Sequence, residues 1–128
     1  MSGVSLPLDT NIVIGLLKGY EPAVQLVAST GLPLNQAAVS QITRLELLGY
    51  TGITAVEEVA IQLFLQSVTC IHIDQDVETA AIGLRRKQRI KLQDAIIAGT
   101  ALAKNLKLIT LDRALLDTLQ LAQTKLSA

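Results

Sequence analysis

The chain is expected to fold as an α/β domain with a mostly parallel central sheet. Three observations predict this. Short apolar runs alternate with longer stretches whose apolar residues recur at helical spacing, as in strand–helix–strand units. Half of the residues are hydrophobic but only 2% are aromatic, so the core must be built from Leu, Ile, Val and Ala, which suits helices packed on a buried sheet. A length of 128 residues fits one domain with one hydrophobic core, assigned to residues 1–128.

Taken in order, VSLPL is a short apolar run ending at Asp9 and predicts a buried strand. Asn11 to Leu17 carries apolar residues at helical spacing and stops at Gly19. Pro22 opens a second helix that runs to about Thr30, closed by Gly31 and Pro33. Asn35 to Ser40 is the second strand. Ile42 to Tyr50 is a helix with Leu45, Leu47 and Leu48 facing inward. VEEVAIQLFLQ marks a helix over Ala55–Gln66, and the alternation in VTCIHI marks a strand over Val68–Ile73. Helices follow over Val77–Gln88 and Asp94–Lys104, then a strand over Leu106–Leu111 and a helix over Ala114–Leu121.

Composition excludes several classes of function. Tryptophan is absent and Tyr20, Tyr50 and Phe64 are scattered, so a base-stacking surface is not expected. Net charge is zero, unlike that of many non-specific nucleic-acid binders. Charge is uneven, however. Arg85, Arg86, Lys87, Arg89 and Lys91 fall in the run RRKQRIK, either a solvated helix face or a patch for RNA phosphates or an acidic partner. Arg85 and Arg89, four apart, would share a helix face, with Arg86 beside Arg89. The lone Cys70 makes neither a disulfide framework nor a cysteine zinc site and is expected buried in its strand. No basic start followed by an apolar run opens the chain, and apolar stretches break within roughly ten residues, too short for a bilayer. The expected location is the cytoplasm.

Four acids stand out because each lies at an element boundary: Asp9 in LPLDTNIVIG, Glu46 in TRLELLGY, Asp94 in KLQDAIIAG and Asp112 in LITLDRALL. In parallel sheets ligands bind beyond the carboxyl ends of the strands, where Asp9 and Asp112 are expected. Each acid also has a purely structural explanation. Asp9 and Asp112 can cap helices, worth about 1 kcal/mol each. Glu46 with Thr43 fits a capping box in a first helical turn. Asp94 suits a helix N-terminus, and its neighbours Leu92, Ala95, Ile96, Ile97 and Ala98 predict burial, which requires a compensating metal or basic group. Thr110 can offer a hydroxyl to a carboxylate or water near Asp112. Gathered together, the four carboxylates are what holds Mg²⁺ or Mn²⁺ against a phosphodiester. Asp74 and Asp76 are expected as caps, Asp117 on a helix surface, and His72 as a packed strand residue.

With these residues in order, the chain resembles the PIN-domain family, and within it the toxin nucleases of the VapBC type. The resemblance spans about Leu6 to Leu116 and rests on LDTNIVIGLLKG, ITRLELL and KLQDAIIAGTALAKNLKLITLDRALL. It implies an α/β/α sandwich with a parallel sheet and Mg²⁺- or Mn²⁺-dependent RNA cleavage. It also implies a homodimer and a small inhibitory antitoxin. The family's acids fall on Asp9, Glu46, Asp94 and Asp112 and its strand-end Thr on Thr110; Asn11 and Thr110 would orient carboxylates or waters. Two positions depart from the family's pattern. Gln93 stands where Pro commonly precedes the third acid, and Arg113-Ala114-Leu115 follows Asp112 where a further acid or polar residue and an aromatic are common.

Other chemistries fit less well. An aspartyl-nucleophile phosphatase would place a second Asp at position 11, which is Asn11. A receiver-like signalling domain would want paired acids after the first strand and a Lys after the last, whereas Lys107 starts its strand. A PIN fold kept as a binding or scaffold protein would not need four intact acids.

Overall fold

The structure is a computed structural model describing residues 6–127, with side chains described through residue 123. Val4 and Ser5 of the first expected strand lie outside the described residues.

Strand β1 (Leu6–Pro7) pairs in parallel with β2 (Ala37–Ser40), which pairs in parallel with β3 (Thr69–Ile71). Leu6 lies opposite Ala37, and Val39 opposite Cys70. The strand expected over Leu106–Leu111 is reduced to one parallel bridge between Ile109 and Leu8. Two backbone bonds make it: Ile109 N–H donates to Pro7 O, and Asp9 N–H donates to Ile109 O, both at 2.9 Å. The expectation of a mostly parallel α/β fold therefore holds, with shorter strands than the apolar runs suggest. Asn35 and Gln36 of the second run fall in a 3₁₀ turn (Leu34–Gln36), and the third strand ends before His72, which is exposed rather than packed. Cys70 is half-buried.

The helices are α1 (Thr10–Leu17), α2 (Glu21–Ala28), α3 (Gln41–Leu48), α4 (Ala55–Ser67), α5 (Gln75–Lys87), α6 (Leu92–Lys104) and α7 (Arg113–Ser127). Their starts follow from capping chemistry. Asp9 caps α1, Ser40 caps α3, and Thr54 with Glu57 forms a reciprocal capping box on α4. Asp74 caps α5, accepting from Val77 N–H, and its other oxygen pairs with Lys104. That pair holds Asp74's carboxyl below the ordinary range, mainly through the Lys104 hydrogen bond.

Helix α3 begins directly at the end of β2, because Ser40 and not Thr43 is its cap. Glu46 therefore sits in the second turn, and the expected Thr43–Glu46 capping box does not form. Leu45 is 57% exposed rather than inward, while Leu47 is buried. Helix α5 ends at Lys87, and the extended Gln88 follows. Arg89 is consequently in the connection to α6 and shares no helix face with Arg85.

The core has two parts. One lies around the sheet and α1, with Leu8, Ile12, Val13, Val39, Leu47 and Phe64 among its residues. The other joins α5, α6 and α7 through Leu84, Ile97, Ala98, Leu108 and Leu115. No helix of the described residues is long and apolar enough to cross a membrane.

Glycine marks the closest approach between α5 and α6. A Cβ on Gly99 would stand 2.9 Å from Ala81 N and 3.2 Å from its Cα, whereas one on Gly83 would meet nothing within 4 Å. Opposite signs follow for the same substitution. Gly99→Ala is expected to destabilise by about 1–3 kcal/mol through overpacking. Gly83→Ala, in open space within a helix, is expected to stabilise by about 0.4–1 kcal/mol. Chemical denaturation checks both; equal effects would refute the close α5–α6 contact.

Candidate functional site

The sheet and the helix starts bring Asp9, Asn11, Thr110 and Asp112 to one edge. The Leu8–Ile109 bridge sets Thr110 beside Asp9 across that edge. Asp9 is 5% exposed, and both of its oxygens are engaged. Oδ1 accepts from Thr10 N–H at 2.7 Å, the capping bond. Oδ2 accepts from the Thr110 hydroxyl at 2.6 Å and from Asn11 Nδ2 at 3.3 Å. The Thr110 hydroxyl in turn accepts from Asp112 N–H at 2.9 Å and Asn11 Nδ2 at 3.3 Å. Its one donor and both acceptor positions are thus used. Asn11 Oδ1 accepts from Leu111 N–H at 3.2 Å, tying α1 to the same segment.

Asp112 lies just before α7 and does act as a helix cap. Its Oδ1 accepts from Leu115 N–H at 3.1 Å. Asp94 is the third residue of α6, after the exposed Lys91 at the cap position. It is half-buried rather than enclosed, and its expected neighbour Leu92 is 54% exposed.

Glu46 is held by a residue that sequence reasoning passed over. The Thr10 hydroxyl donates to Glu46 Oε1 at 2.7 Å and lies 2.9 Å from the Thr43 hydroxyl. A hydroxyl has one proton. With that proton on Glu46, Thr10 must accept from Thr43, which is fully buried. The available signal was spacing: Thr43 and Glu46, three apart, lie on one face of a helix.

The charges repel one another. Burial raises the Asp9 carboxyl above the ordinary carboxylate range; hydrogen bonds from Thr110 and Thr10 oppose the rise, and the charges of Asp94 and Glu46 add to it. Asp94 is likewise raised, first by burial and then by the Asp112 charge, with Lys91 pulling the other way. Asp9 therefore senses Asp94 and Glu46, and Asp94 senses Asp112. Among the described residues the only ion pair is Lys104–Asp74, so none of the four acids is paired with a cation.

Whether this group suits a metal can be judged from its donors. They are oxygen only, which matches hard divalent cations. Negative charge without a paired cation, partly removed from water, is costly and would be relieved by such an ion. Yet among the described residues no three Asp, Glu, His or Cys side chains converge closely enough to enclose an ion. The arrangement suits an ion that keeps several waters and takes one or two carboxylates directly, as Mg²⁺ does.

Two grooves flank α1. One, of about 690 Å³, runs from Tyr50, Ile53 and Val56 to Thr10 and Glu46. The other, of about 610 Å³, begins at Asn11 and Leu111 and reaches Tyr20. Ile14 and Lys18 line both.

A parallel α/β fold sets Asp9 and Asp112 just past paired strand segments. The family profile described as PIN domain matches residues 7–119. A chain of the toxin–antitoxin complex from Klebsiella pneumoniae is 36% identical, with a TM-score of 0.71 over 84% of this chain and 87% of that one. A chain of FitAcB from Neisseria gonorrhoeae is 24% identical, with a TM-score of 0.73 over 90% and 93%. VapBC2 from Rickettsia felis, bound to a DNA fragment from its promoter, contains a chain 20% identical, with a TM-score of 0.67 over 84% and 87%. No curated protein matches the chain. The chain belongs to the PIN-domain family.

The raised Asp9 value has a consequence for stability. The native state holds this proton to higher pH than the unfolded chain does. The contribution of Asp9 to stability is therefore fully present below the ordinary carboxylate range and is lost as pH rises through the raised value. Without added metal, Asp9→Asn is expected to raise Tm near neutral pH, with the gain fading in acid. A variant that is less stable than wild type at neutral pH, or whose gain grows in acid, would show that capping outweighs charge.

Proposed function

We propose that this protein is a metal-dependent endoribonuclease, the toxin of a toxin–antitoxin pair. The observation that carries the reading is Asp9: a buried carboxylate with its pKa raised, sensing Asp94 and Glu46, and paired with no cation among the described residues. The toxin assignment draws on the 36% identical chain of a toxin–antitoxin complex.

Asp9, Asp94 and Asp112 would hold Mg²⁺ or Mn²⁺, directly or through water, with Glu46 as a fourth ligand or as the group that orients an attacking water. When bound, such an ion lowers the pKa of water and offsets charge on phosphate oxygens in an in-line displacement. The chain's own contribution is orientation. Thr110 and Asn11 fix Asp9, and Thr43 through Thr10 fixes Glu46, so that neither carboxylate must be ordered at the moment of reaction. Asp112 is held by its capping bond to Leu115.

The groove ending at Thr10 and Glu46 gives inhibition a physical route. An antitoxin segment whose apolar residues covered Tyr50, Ile53 and Val56 would finish at the carboxylates. The exposed cations Arg85, Arg86 and Arg89 are proposed as contacts for RNA phosphates or for an acidic antitoxin, since Lys91 of the same run already acts on Asp94. A homodimer belongs to the same reading; Val56, Val59 and Leu63 lie exposed along α4 and would gain from cover. A second reading, a PIN-fold binding or scaffold protein without turnover, is favoured by the absence of three converging ligands among the described residues.

One set of measurements separates the two. Purified protein is expected to cleave RNA with Mg²⁺ or Mn²⁺ and to stop on chelation. The ion should raise Tm, and Asp94→Asn should reduce that rise. Thr10→Val, which loses the hydroxyl and keeps the shape, is expected to lower activity or metal affinity by about 10–100-fold, and Thr10→Ser to restore most of it. A metal response unchanged in Asp94→Asn would remove it as a ligand. RNA binding without cleavage under any divalent ion would leave the scaffold reading.

A further inference from the structure

We infer that the groove beside Asn11 is a nucleotide subsite, in which Tyr20 stacks one base of single-stranded RNA and Lys18 meets its phosphate. The inference rests on the ribonuclease reading above and adds a binding site outside the carboxylate cluster.

The expectation of no stacking surface rests on the absence of tryptophan and on the scatter of the aromatic residues along the sequence. In the fold, Tyr20 comes to stand on a groove whose near end is Asn11 and Leu111. Asn11 hydrogen-bonds Asp9 on one side and Leu111 on the other, so the groove wall is continuous with the carboxylate edge. Its volume of about 610 Å³ falls within the range of small-molecule clefts, roughly 300–1,000 Å³.

Tyr20 is 54% exposed, yet its backbone is fixed. Its N–H donates to Gly15 O at 2.8 Å, and its carbonyl accepts from Ala23 and Val24 N–H, both at 3.1 Å. The side chain rests against α1 at Gly15. A Cβ there would stand 3.6 Å from Tyr20 Cβ and from Cδ2, and only 2.5 Å from Ala23 Cβ. Gly15 thus lets the side chain lie close to the helix while the remainder stays open to solvent. An exposed aromatic on a fixed backbone offers a stacking face, the sequence-tolerant element of single-strand binding.

Charges of both signs line the groove. Lys18 lines the groove, and Glu21 lines it near Tyr20, where Gln25 Nε2 holds the carboxylate at 2.7 Å. Phosphate is disfavoured beside Glu21 and favoured at Lys18, which leaves Tyr20 for the base. A carboxylate at that end can accept from a ribose 2′-hydroxyl, the group that distinguishes RNA from DNA.

The absence of tryptophan supplies the test. In Tyr50→Phe, tyrosine emission reports Tyr20 alone. A short unstructured RNA in metal-free buffer is expected to quench it, and DNA of the same sequence to quench it less. By fluorescence anisotropy, Tyr20→Ala should weaken RNA binding about ten-fold and Tyr20→Phe should retain it. Lys18→Ala should reduce the slope of log K against log salt by about 0.7. Wild-type affinity in Tyr20→Ala, or unquenched emission while the protein binds RNA, overturns the subsite and leaves the ribonuclease reading standing. Failure of the wild-type protein either to bind or to cleave RNA overturns both. Emission that follows protein concentration and ignores RNA overturns the subsite in favour of a contact between copies.

Discussion

The pairing of Ile109 with Leu8 is the constraint on which the candidate site depends. Two backbone hydrogen bonds hold it, and it joins segments a hundred residues apart. It carries Thr110 to Asp9 and sets Asp112 two residues beyond. The short segment cannot be replaced by a neighbouring strand, because β1 is paired to β2 on its other side. Without this bridge Asp9 would remain an N-cap, and Asp112 a second N-cap elsewhere. The side-chain bond from Thr110 to Asp9, at 2.6 Å, has the length of a charge-assisted bond and closes the same junction.

That junction buries a carboxylate within reach of the charges of Asp94 and Glu46. Burial and like charge both penalise the ionised form of Asp9, and the Thr110 and Thr10 hydrogen bonds only partly compensate. Folding therefore works against the charge that a metal-dependent site would use. Proteins keep such arrangements where function requires them, since perturbed carboxylates cluster at functional sites. Structural caps elsewhere in this chain behave differently. Asp74 also caps a helix, but it has Lys104 beside it and its pKa falls. Two N-cap aspartates thus diverge in opposite directions: Asp9 is buried beside other carboxylates' charges, whereas Asp74 stays exposed and has a cation beside it.

The sequence showed the alternation of the fold and the four acids for one reason: both are local. Apolar runs, glycine stops and an acid at an element boundary are visible within a few residues. What stayed hidden depends on partners far away. The final strand looked full-length in LKLITL, but only Ile109 finds a partner. Thr43 looked like a cap because Glu46 follows at the right distance; Ser40, at the very end of β2, started the helix first. Thr43 was thereby freed to turn inward toward Thr10. Arg89 would share a face with Arg85 only if the helix ran on through Gln88, whose extended backbone ends it. Helical spacing predicts Leu45 inward and Leu92 as apolar cover for Asp94, yet both are exposed, since among the described residues no element covers them.

Helix α1 shows how few residues can serve several demands. Consecutive side chains on a helix point about 100° apart. Thr10 and Asn11 therefore diverge, one toward Glu46 on α3 and the other toward Asp9 and Thr110. Ile12 and Val13 continue the rotation into the core. Ile14 returns to the side of Thr10 and Asn11, and Lys18 follows four residues later, so both line the grooves on either side. The two grooves are consequently not independent features. They are the two flanks of one eight-residue helix whose first turn already divides the carboxylates between them. Whatever occupies one groove contacts Ile14 and Lys18, which also face the other. The Lys18 charge is felt by Glu57, which lines the groove on the Glu46 side.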